Sequence, residues 1–108
     1  MYIPDKGDIV SLNFDPSAGN EIMKHRPALV ISRKKFNQHT GCAFVAPISS
    51  TKRGMALEVL LSETSTQGVI LVHQLRSLDV ERRGIKFIEK APESITEKVT
   101  KMAGVIIQ

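Results

Sequence analysis

Alternating apolar and polar residues predict a first strand over residues 7–14. Val10, Leu12 and Phe14 are separated by single polar residues, which is the spacing of a strand with one buried face. Further apolar runs bounded by Gly, Ser, Thr or charged residues predict five more strands, over residues 28–32, 42–48, 56–61, 68–78 and 84–89. The pattern is therefore mainly β over the first four fifths of the chain.

The tail has a different period. Apolar residues recur at helical spacing over residues 91–108, at Ile95, Val99, Met102 and Ile106. Ser94 with Glu97 has the spacing of a capping box, which predicts a helix start there. Residues 34–41 predict one further helical turn, ended by Gly41. The sequence thus predicts a small barrel-like sheet with one C-terminal α-helix across one end.

Composition narrows the class of protein. The chain has 108 residues and one cysteine, so we expect a single domain over residues 1–108 with no internal disulfide. No apolar run is long enough to span a membrane, and the first residues lack a secretion signal, which predicts a cytoplasmic location. With only three scattered histidines, we expect no metal site and no cofactor.

Charge is segregated along the chain. The formal net charge is +4, but residues 22–57 contain no Asp or Glu. Seven cations fall in that block, namely Lys24, Arg26, Arg33, Lys34, Lys35, Lys52 and Arg53. Such a block fits a phosphate-facing surface. A solvated basic face with no partner fits it equally well.

Arg26 is the first candidate for chemistry. Pro27 disfavours a helical backbone at Arg26 and holds that residue extended at the start of a buried strand. A planar, permanently charged guanidinium in that position suits a phosphate. The alternative is an arginine that pairs with a nearby carboxylate such as Glu21.

A hydroxyl-rich turn follows the strand at 42–48. Ser49, Ser50 and Thr51 are followed directly by Lys52 and Arg53. Such hydroxyls often satisfy only their own backbone. Beside an anchored arginine, they could instead hold phosphate oxygens.

Histidine supplies the candidates for proton transfer. His73 interrupts an apolar strand, so it either forms a hydrogen bond inside the fold or opens onto a cleft. His25, next to Arg26, is the second candidate, and we interpret His39 as an exposed bystander. We favour His73, because a strand would hold it more rigidly than a loop.

These segments occur together in a recognisable order. The stretches "GDIVSLNFDPSAGNE", "HRPALVIS", "FNQHTG", "VAPISS" and "GVILVHQLRSLD" resemble the MazF/PemK/Kid family of toxin endoribonucleases, most closely its MazF branch. The resemblance runs from Gly7 to the terminal helix.

The resemblance implies a fold and a function. The fold would be a small twisted antiparallel SH3-like barrel with helical additions, assembled as a homodimer. The activity would be metal-independent cleavage of single-stranded RNA at short sequence motifs. The partner would be an antitoxin whose acidic, disordered tail blocks the RNA groove, possibly in a toxin–antitoxin heterohexamer. DNA would be contacted only through the antitoxin, and no membrane is implied.

The resemblance also implies roles for single residues. Arg26 matches the catalytic arginine, and Ser49 stands where the family generally has a catalytic threonine. Glu21 and His25 match loop positions that handle substrate, and His73 stands where relatives often carry Asp. The segment 54–59 lacks the aromatic of close relatives, which removes a base-stacking surface. The remaining predicted substrate-binding residues are Lys24, Ser50, Thr51, Lys52, Arg53, Gln74 and Arg76.

Cleavage through the 2′-hydroxyl would give a 2′,3′-cyclic phosphate, or a 3′-phosphate after opening, and a 5′-hydroxyl. Two other hypotheses remain at this point. One is a non-catalytic toxin of the same barrel, similar to the CcdB family, that poisons a protein such as DNA gyrase. The other is an RNA-binding module that has lost catalysis.

Overall fold

The computed structural model describes residues 1–15, 19, 24–54 and 56–108. Within these residues the strands are β1 (Asp8–Asn13), β2 (His25–Val30), β3 (Cys42–Ser49), β4 (Glu58–Leu60), β5 (Val69–Leu71), β6 (Arg76–Asp79) and β7 (Lys86–Lys90). The helices are α1 (Lys34–Thr40) and α2 (Glu93–Ile107), with a short 3-10 helix at Val72–Gln74. The predicted class, mainly antiparallel β with a C-terminal helix, is confirmed.

The described strands form one sheet in the order β4-β5-β3-β2-β1-β7. One edge of β3 has two partners, because residues 42–45 pair with β6 and residues 48–49 pair with β5. Pro47 falls between these two stretches, where its missing N–H leaves both pairings on this edge intact. This change of partner curls the sheet.

Each face of the sheet carries a buried apolar cluster. One cluster, here called the inner core, contains no residue of either helix and is enclosed by the curled sheet; its members include Val10, Leu12, Ala28, Val45, Val69 and Leu71. The second cluster, the helix-side core, lies under α2 and includes Ile9, Leu29, Ile48, Ile70, Ile95 and Val99. Neighbours along a strand alternate between the two clusters, as the strand period requires.

The C-terminal helix lies over the helix-side core. Ile95, Val99 and Ala103 are buried there, whereas Ile106 is exposed, so only part of the predicted apolar stripe is covered by this chain. The predicted capping box of Ser94 and Glu97 is wrong. The helix begins at Glu93 and Pro92 is its N-cap, with no side-chain cap bond. Neither described helix is long and apolar enough to cross a membrane.

The predicted strand over residues 68–78 is interrupted. The chain leaves β5 after Leu71, forms the 3-10 helix, and returns to β3 as β6. His73 therefore lies on a turn, and the reason for favouring it as a rigid strand residue is wrong. The helical turn predicted over residues 34–41 is confirmed, since Gly41 ends α1 in the left-handed conformation.

Asp8 joins the N-terminal segment to β7. Its side chain is 5% exposed and accepts hydrogen bonds from the Tyr2 hydroxyl at 2.5 Å, the Asp5 amide at 2.9 Å and Lys90 Nζ at 2.8 Å. Burial raises the pKa of Tyr2, and the bond to Asp8 raises it further. The carboxylate therefore holds the N-terminal segment and β7 together at one corner of the sheet.

We expect Asp8→Ala to destabilise the fold by about 2 kcal/mol, because it leaves a buried hydroxyl and an amide without an acceptor. Tyr2→Phe, which removes one of these bonds, should cost about 1 kcal/mol. Urea unfolding measures both. An Asp8→Ala protein as stable as the wild type would contradict this role.

Candidate nucleic-acid interface

Arg26 lies on the face of β2 that carries the inner core. It pairs with Leu12 of β1, while Ala28 pairs with Val10, and all three of these partners belong to that core. The Arg26 side chain is half-buried at the open end of the row. Strand pairing therefore fixes the backbone of Arg26 near the start of β2, as the sequence predicted.

Ser49 ends β3 on the same face. It is 4% exposed and pairs with Val69, a residue of the inner core. The β2–β3 ladder pairs Ala28 with Pro47, and the same register continued by two residues places Ser49 opposite Arg26. The two predicted catalytic residues thus face each other across neighbouring strands.

Pro27 lies between the paired part of β2 and β3 and the two residues Arg26 and Ser49. The Phe14 amide donates to the Lys24 carbonyl at 2.9 Å, so alternate residues of β2 bond to β1 and the position of Pro27 faces β3. Proline has no N–H to donate there. The pairing of β2 with β3 accordingly begins at Ala28, and Arg26 and Ser49 lie just beyond it.

The Ser49 hydroxyl lies within a tight turn. Its Oγ accepts from the Thr51 amide at 3.1 Å and donates to the Thr51 carbonyl at 3.4 Å. This is the self-satisfied arrangement that the sequence left open. Because the donated bond is long, the hydroxyl hydrogen can turn to a phosphate oxygen at small cost. Ser50 and Thr51 are exposed beside it.

The basic turn that follows is held by Glu58. Lys52 and Arg53 are exposed, and the backbone amides of Arg53 and Gly54 donate to the Glu58 carboxylate at 3.0–3.2 Å. The predicted substrate-binding side chains of this turn therefore stand on a fixed backbone next to Ser49.

The segment that leads into β2 is held by hydrogen bonds just before Arg26. The Lys24 amide donates to Asp15 Oδ1 at 2.9 Å, and Lys24 has a positive φ of 69°, where the chain turns into β2. Arg83 donates to the carbonyls of Asn13 and Asp15. Lys24 is exposed at this position. Glu21, predicted to handle substrate, lies outside the described residues.

His25 lies on the opposite face of β2 from Arg26. Strand alternation separates adjacent side chains, and His25 pairs with Asn13 rather than with an inner-core residue. Its Nε2 is 3.4 Å from Ser11 Oγ, and the ring is exposed. Of the predicted catalytic residues, His25 is therefore adjacent to Arg26 in sequence but on the other face of the strand.

His73, Gln74 and Arg76 lie beyond the far end of β5. That strand starts beside Ser49, at Val69, and runs away from it, so the 3-10 helix is several residues removed from the facing pair. His73 Nδ1 and one terminal guanidinium nitrogen of Arg76 are buried without a hydrogen-bond partner in this structure. The register does not bring these three residues beside Arg26 and Ser49.

Two residues of this site escaped the sequence analysis. Gly68 lies against the end of β3, because a Cβ built on it would stand 2.4 Å from the Ser49 carbonyl oxygen. Its position before an apolar strand was the available signal. For Glu58 the only signal in the sequence is a polar residue among the apolar residues of a predicted strand. Among the described residues, no group of three or more His, Cys, Asp or Glu could hold a metal ion.

Glu89 fixes the loop that leads to Gly68. Its carboxylate accepts from the Thr66 hydroxyl and amide, each at 2.7 Å, and from the Ser65 amide at 3.0 Å. These hydrogen bonds, the Thr66 hydroxyl first, lower the pKa of Glu89. The backbone that passes under Ser49 is thus tied to β7.

The family was decided by comparison with known proteins. A family model described as the PemK-like, MazF-like toxin of type II toxin-antitoxin systems matches residues 5–107. The chain belongs to this family. The family resemblance found in the sequence motifs is thereby confirmed.

Curated relatives include two proteins of Escherichia coli (strain K12). The chain is 39% identical to the endoribonuclease toxin MazF over 83 residues, which cover 77% of this chain and 75% of that protein. It is 37% identical to the endoribonuclease toxin ChpB over 100 residues, covering 87% and 85% respectively.

Solved structures of toxins in this family show the same fold. A crystal structure of MazF from Deinococcus radiodurans matches with a TM-score of 0.93 and 36% identity, covering 99% of this chain and 98% of that one. A MazE-MazF structure from the same organism matches with a TM-score of 0.87 and 36% identity, covering 98% and 97%.

We expect Gly68→Ala to displace the end of β3 and to lower the activity that depends on Ser49. The reason is that the added Cβ meets the Ser49 backbone, which cannot move aside. Gly84→Ala is the matched control. Gly84 also has a positive φ, of 60°, but nothing lies within 4 Å of its built Cβ, so it bears the conformational strain alone, about 1 kcal/mol. Thermal unfolding should rank Gly68→Ala well below Gly84→Ala. Equal losses would show that close packing at Ser49 is unimportant.

Proposed function

We propose that this toxin is an endoribonuclease that cleaves single-stranded RNA at short sequence motifs. The observation that carries the proposal is the register that sets Arg26 opposite Ser49 at the unbridged ends of β2 and β3. A guanidinium and a hydroxyl on the same face of neighbouring strands could hold the oxygens of one phosphate. The names of the curated relatives MazF and ChpB support the same activity.

The nucleophile is the 2′-hydroxyl of the RNA itself. Its oxygen attacks the adjacent phosphorus and loses its proton, while the bond to the 5′ oxygen breaks and that oxygen gains a proton. The products are a 2′,3′-cyclic phosphate, or the 3′-phosphate after hydrolysis, and a 5′-hydroxyl. Because the nucleophile is already next to the phosphorus, positioning supplies much of the rate and the step requires no metal.

Arg26 stabilises the charge that builds up on the phosphorane. A preorganised cation at the developing charge acts without reorganisation during the reaction. It does not donate the proton, since a guanidinium stays charged at neutral pH. Ser49 donates its hydroxyl to a phosphate oxygen in exchange for its long bond to the Thr51 carbonyl.

The proton transfers are assigned to His25 or His73, the ordinary general acid-base groups near neutral pH. His25 is exposed and adjacent to Arg26, but it pairs with Asn13 on the opposite face of β2. His73 has a buried Nδ1 without a hydrogen-bond partner, but it lies in the 3-10 helix beyond the far end of β5.

The RNA strand itself would be bound by exposed cations. Lys24 flanks Arg26, and Lys52 and Arg53 flank Ser49, so the backbone of the RNA would run across the ends of both strands. Ser50 and Thr51 would contribute hydroxyls, and Glu21 would contact the substrate from the β1–β2 loop.

We propose a cognate antitoxin as the protein partner, with an acidic, disordered tail that covers the same cations and excludes RNA. The MazE-MazF structures of Deinococcus radiodurans support a partner of this kind. We also propose a homodimer, because Phe44 and the end of α2 expose apolar side chains, including Val105 and Ile107. Such dimers would join antitoxins in a heterohexamer, and DNA would be met only through the antitoxin.

Replacing Arg26 tests the proposal. We expect purified wild-type protein to cut a long single-stranded RNA in EDTA, leaving 5′-hydroxyl ends, and Arg26→Ala to lose about 10²–10³-fold in rate. Arg26→Lys, which keeps the charge but not the planar fork, should also be impaired. Arg33→Ala is the control, because it removes an exposed arginine outside this site.

Two results would contradict the proposed nuclease activity. RNA that is bound but stays intact would favour an RNA-binding module. RNA that is not bound at all would favour a toxin that poisons a protein.

A further inference from the structure

We propose that Glu58 is a positioning residue for the RNA, acting through the turn that carries Lys52 and Arg53. The inference rests on the proposed function and names a residue that no part of the catalytic proposal uses. Its role is to fix the distance between these cations and Ser49, and so to set how tightly and in which register the RNA is bound.

The contacts of the carboxylate are to backbone. Arg53 N donates to Oε2 at 3.0 Å and to Oε1 at 3.2 Å, and Gly54 N donates to Oε1 at 3.1 Å. Gly54 has a positive φ of 74°. Two successive amides that converge on one anion form a nest, and charge-assisted bonds of this kind are stronger than neutral ones.

The carboxylate is itself held by the sheet. Glu58 pairs with Leu71 of the inner core, and the next residue, Val59, is 2% exposed in the helix-side core. Glu58 is half-buried. The turn is therefore attached to a strand whose neighbours cannot shift without opening both cores.

The contacts of Glu58 assign it to positioning. Its strand, β4, is separated from β2 by β5 and β3, and its carboxylate oxygens accept from the amides of Arg53 and Gly54. We therefore expect the effect of Glu58 on the reaction to pass through the turn.

The turn couples Glu58 to the RNA. It starts at Ser49, whose hydroxyl bonds to Thr51, and it ends at the amides bound by Glu58. Without the carboxylate, the backbone of Arg53 and Gly54 has no fixed acceptor, and Lys52 and Arg53 no longer keep one position relative to Ser49. Binding and choice of cleavage site should suffer more than the chemical step.

Two variants separate position from charge. Glu58→Gln keeps the shape and removes the charge, whereas Glu58→Asp keeps the charge and withdraws the oxygens from the amides. We expect both to raise KM for an RNA oligonucleotide by roughly tenfold, with a smaller change in kcat, and to cut at additional sites. Glu63→Gln, which removes an exposed charge from the next loop, should leave KM and the cleavage pattern unchanged.

Hydrogen exchange gives a readout that does not depend on activity. The amides of Arg53 and Gly54 should be protected in the wild type and should exchange faster in both Glu58 variants, while thermal unfolding stays close to that of the wild type. If the wild type fails to cut RNA, the proposed function fails; the exchange result still decides whether Glu58 holds the turn.

Two outcomes would overturn the inference. If Glu58→Gln lowers KM while Glu58→Asp behaves as the wild type, the carboxylate competes with RNA phosphate for the two amides instead of holding them in place. Unchanged exchange and unchanged KM in both variants would show that the turn keeps its position without Glu58.

Discussion

The site depends on one missing hydrogen-bond donor. Pro27 occupies a position of β2 that faces β3, and it has no N–H, so the ladder between these strands stops before Arg26 and Ser49. Pairing up to Ala28 still fixes the direction of both strands. The consequence is that the sheet aligns the two side chains on one face, at the ends of β2 and β3, beyond the last paired residues of these strands.

The segments around this pair are held by side chains bonded to backbone. Glu58 binds the amides of the basic turn, Glu89 binds the loop before Gly68, and Asp15 binds the amide of Lys24. The ion pair of Lys90 with Asp8 lies at another corner of the sheet. Lys24, Lys52 and Arg53 are exposed near the site, so the basic block of the sequence contributes cations to this surface.

Features that depend on residues close together in the sequence could be predicted from it. Features that depend on contacts between distant strands and loops could not. Arg26 and Ser49 could be selected because Pro27 and the hydroxyl run act within a few residues. The 3-10 helix at His73 was missed, since its apolar neighbours continue the strand pattern. The helix start was misplaced because Pro92 with φ −55° turns the chain earlier than Ser94. The amides that Glu58 binds, and the close approach of Gly68 to Ser49, depend on tertiary contacts that no spacing reveals.

In the proposed mechanism, Arg26 and Ser49 bind one phosphate at the ends of β2 and β3. The most direct measurement is a crystal structure of the toxin with an RNA whose cleaved residue lacks the 2′-hydroxyl, so that attack is impossible. The scissile phosphate should have one oxygen about 3 Å from the Arg26 guanidinium and another about 3 Å from Ser49 Oγ. A phosphate bound at the 3-10 helix, with Arg26 making no contact to it, would contradict this mechanism.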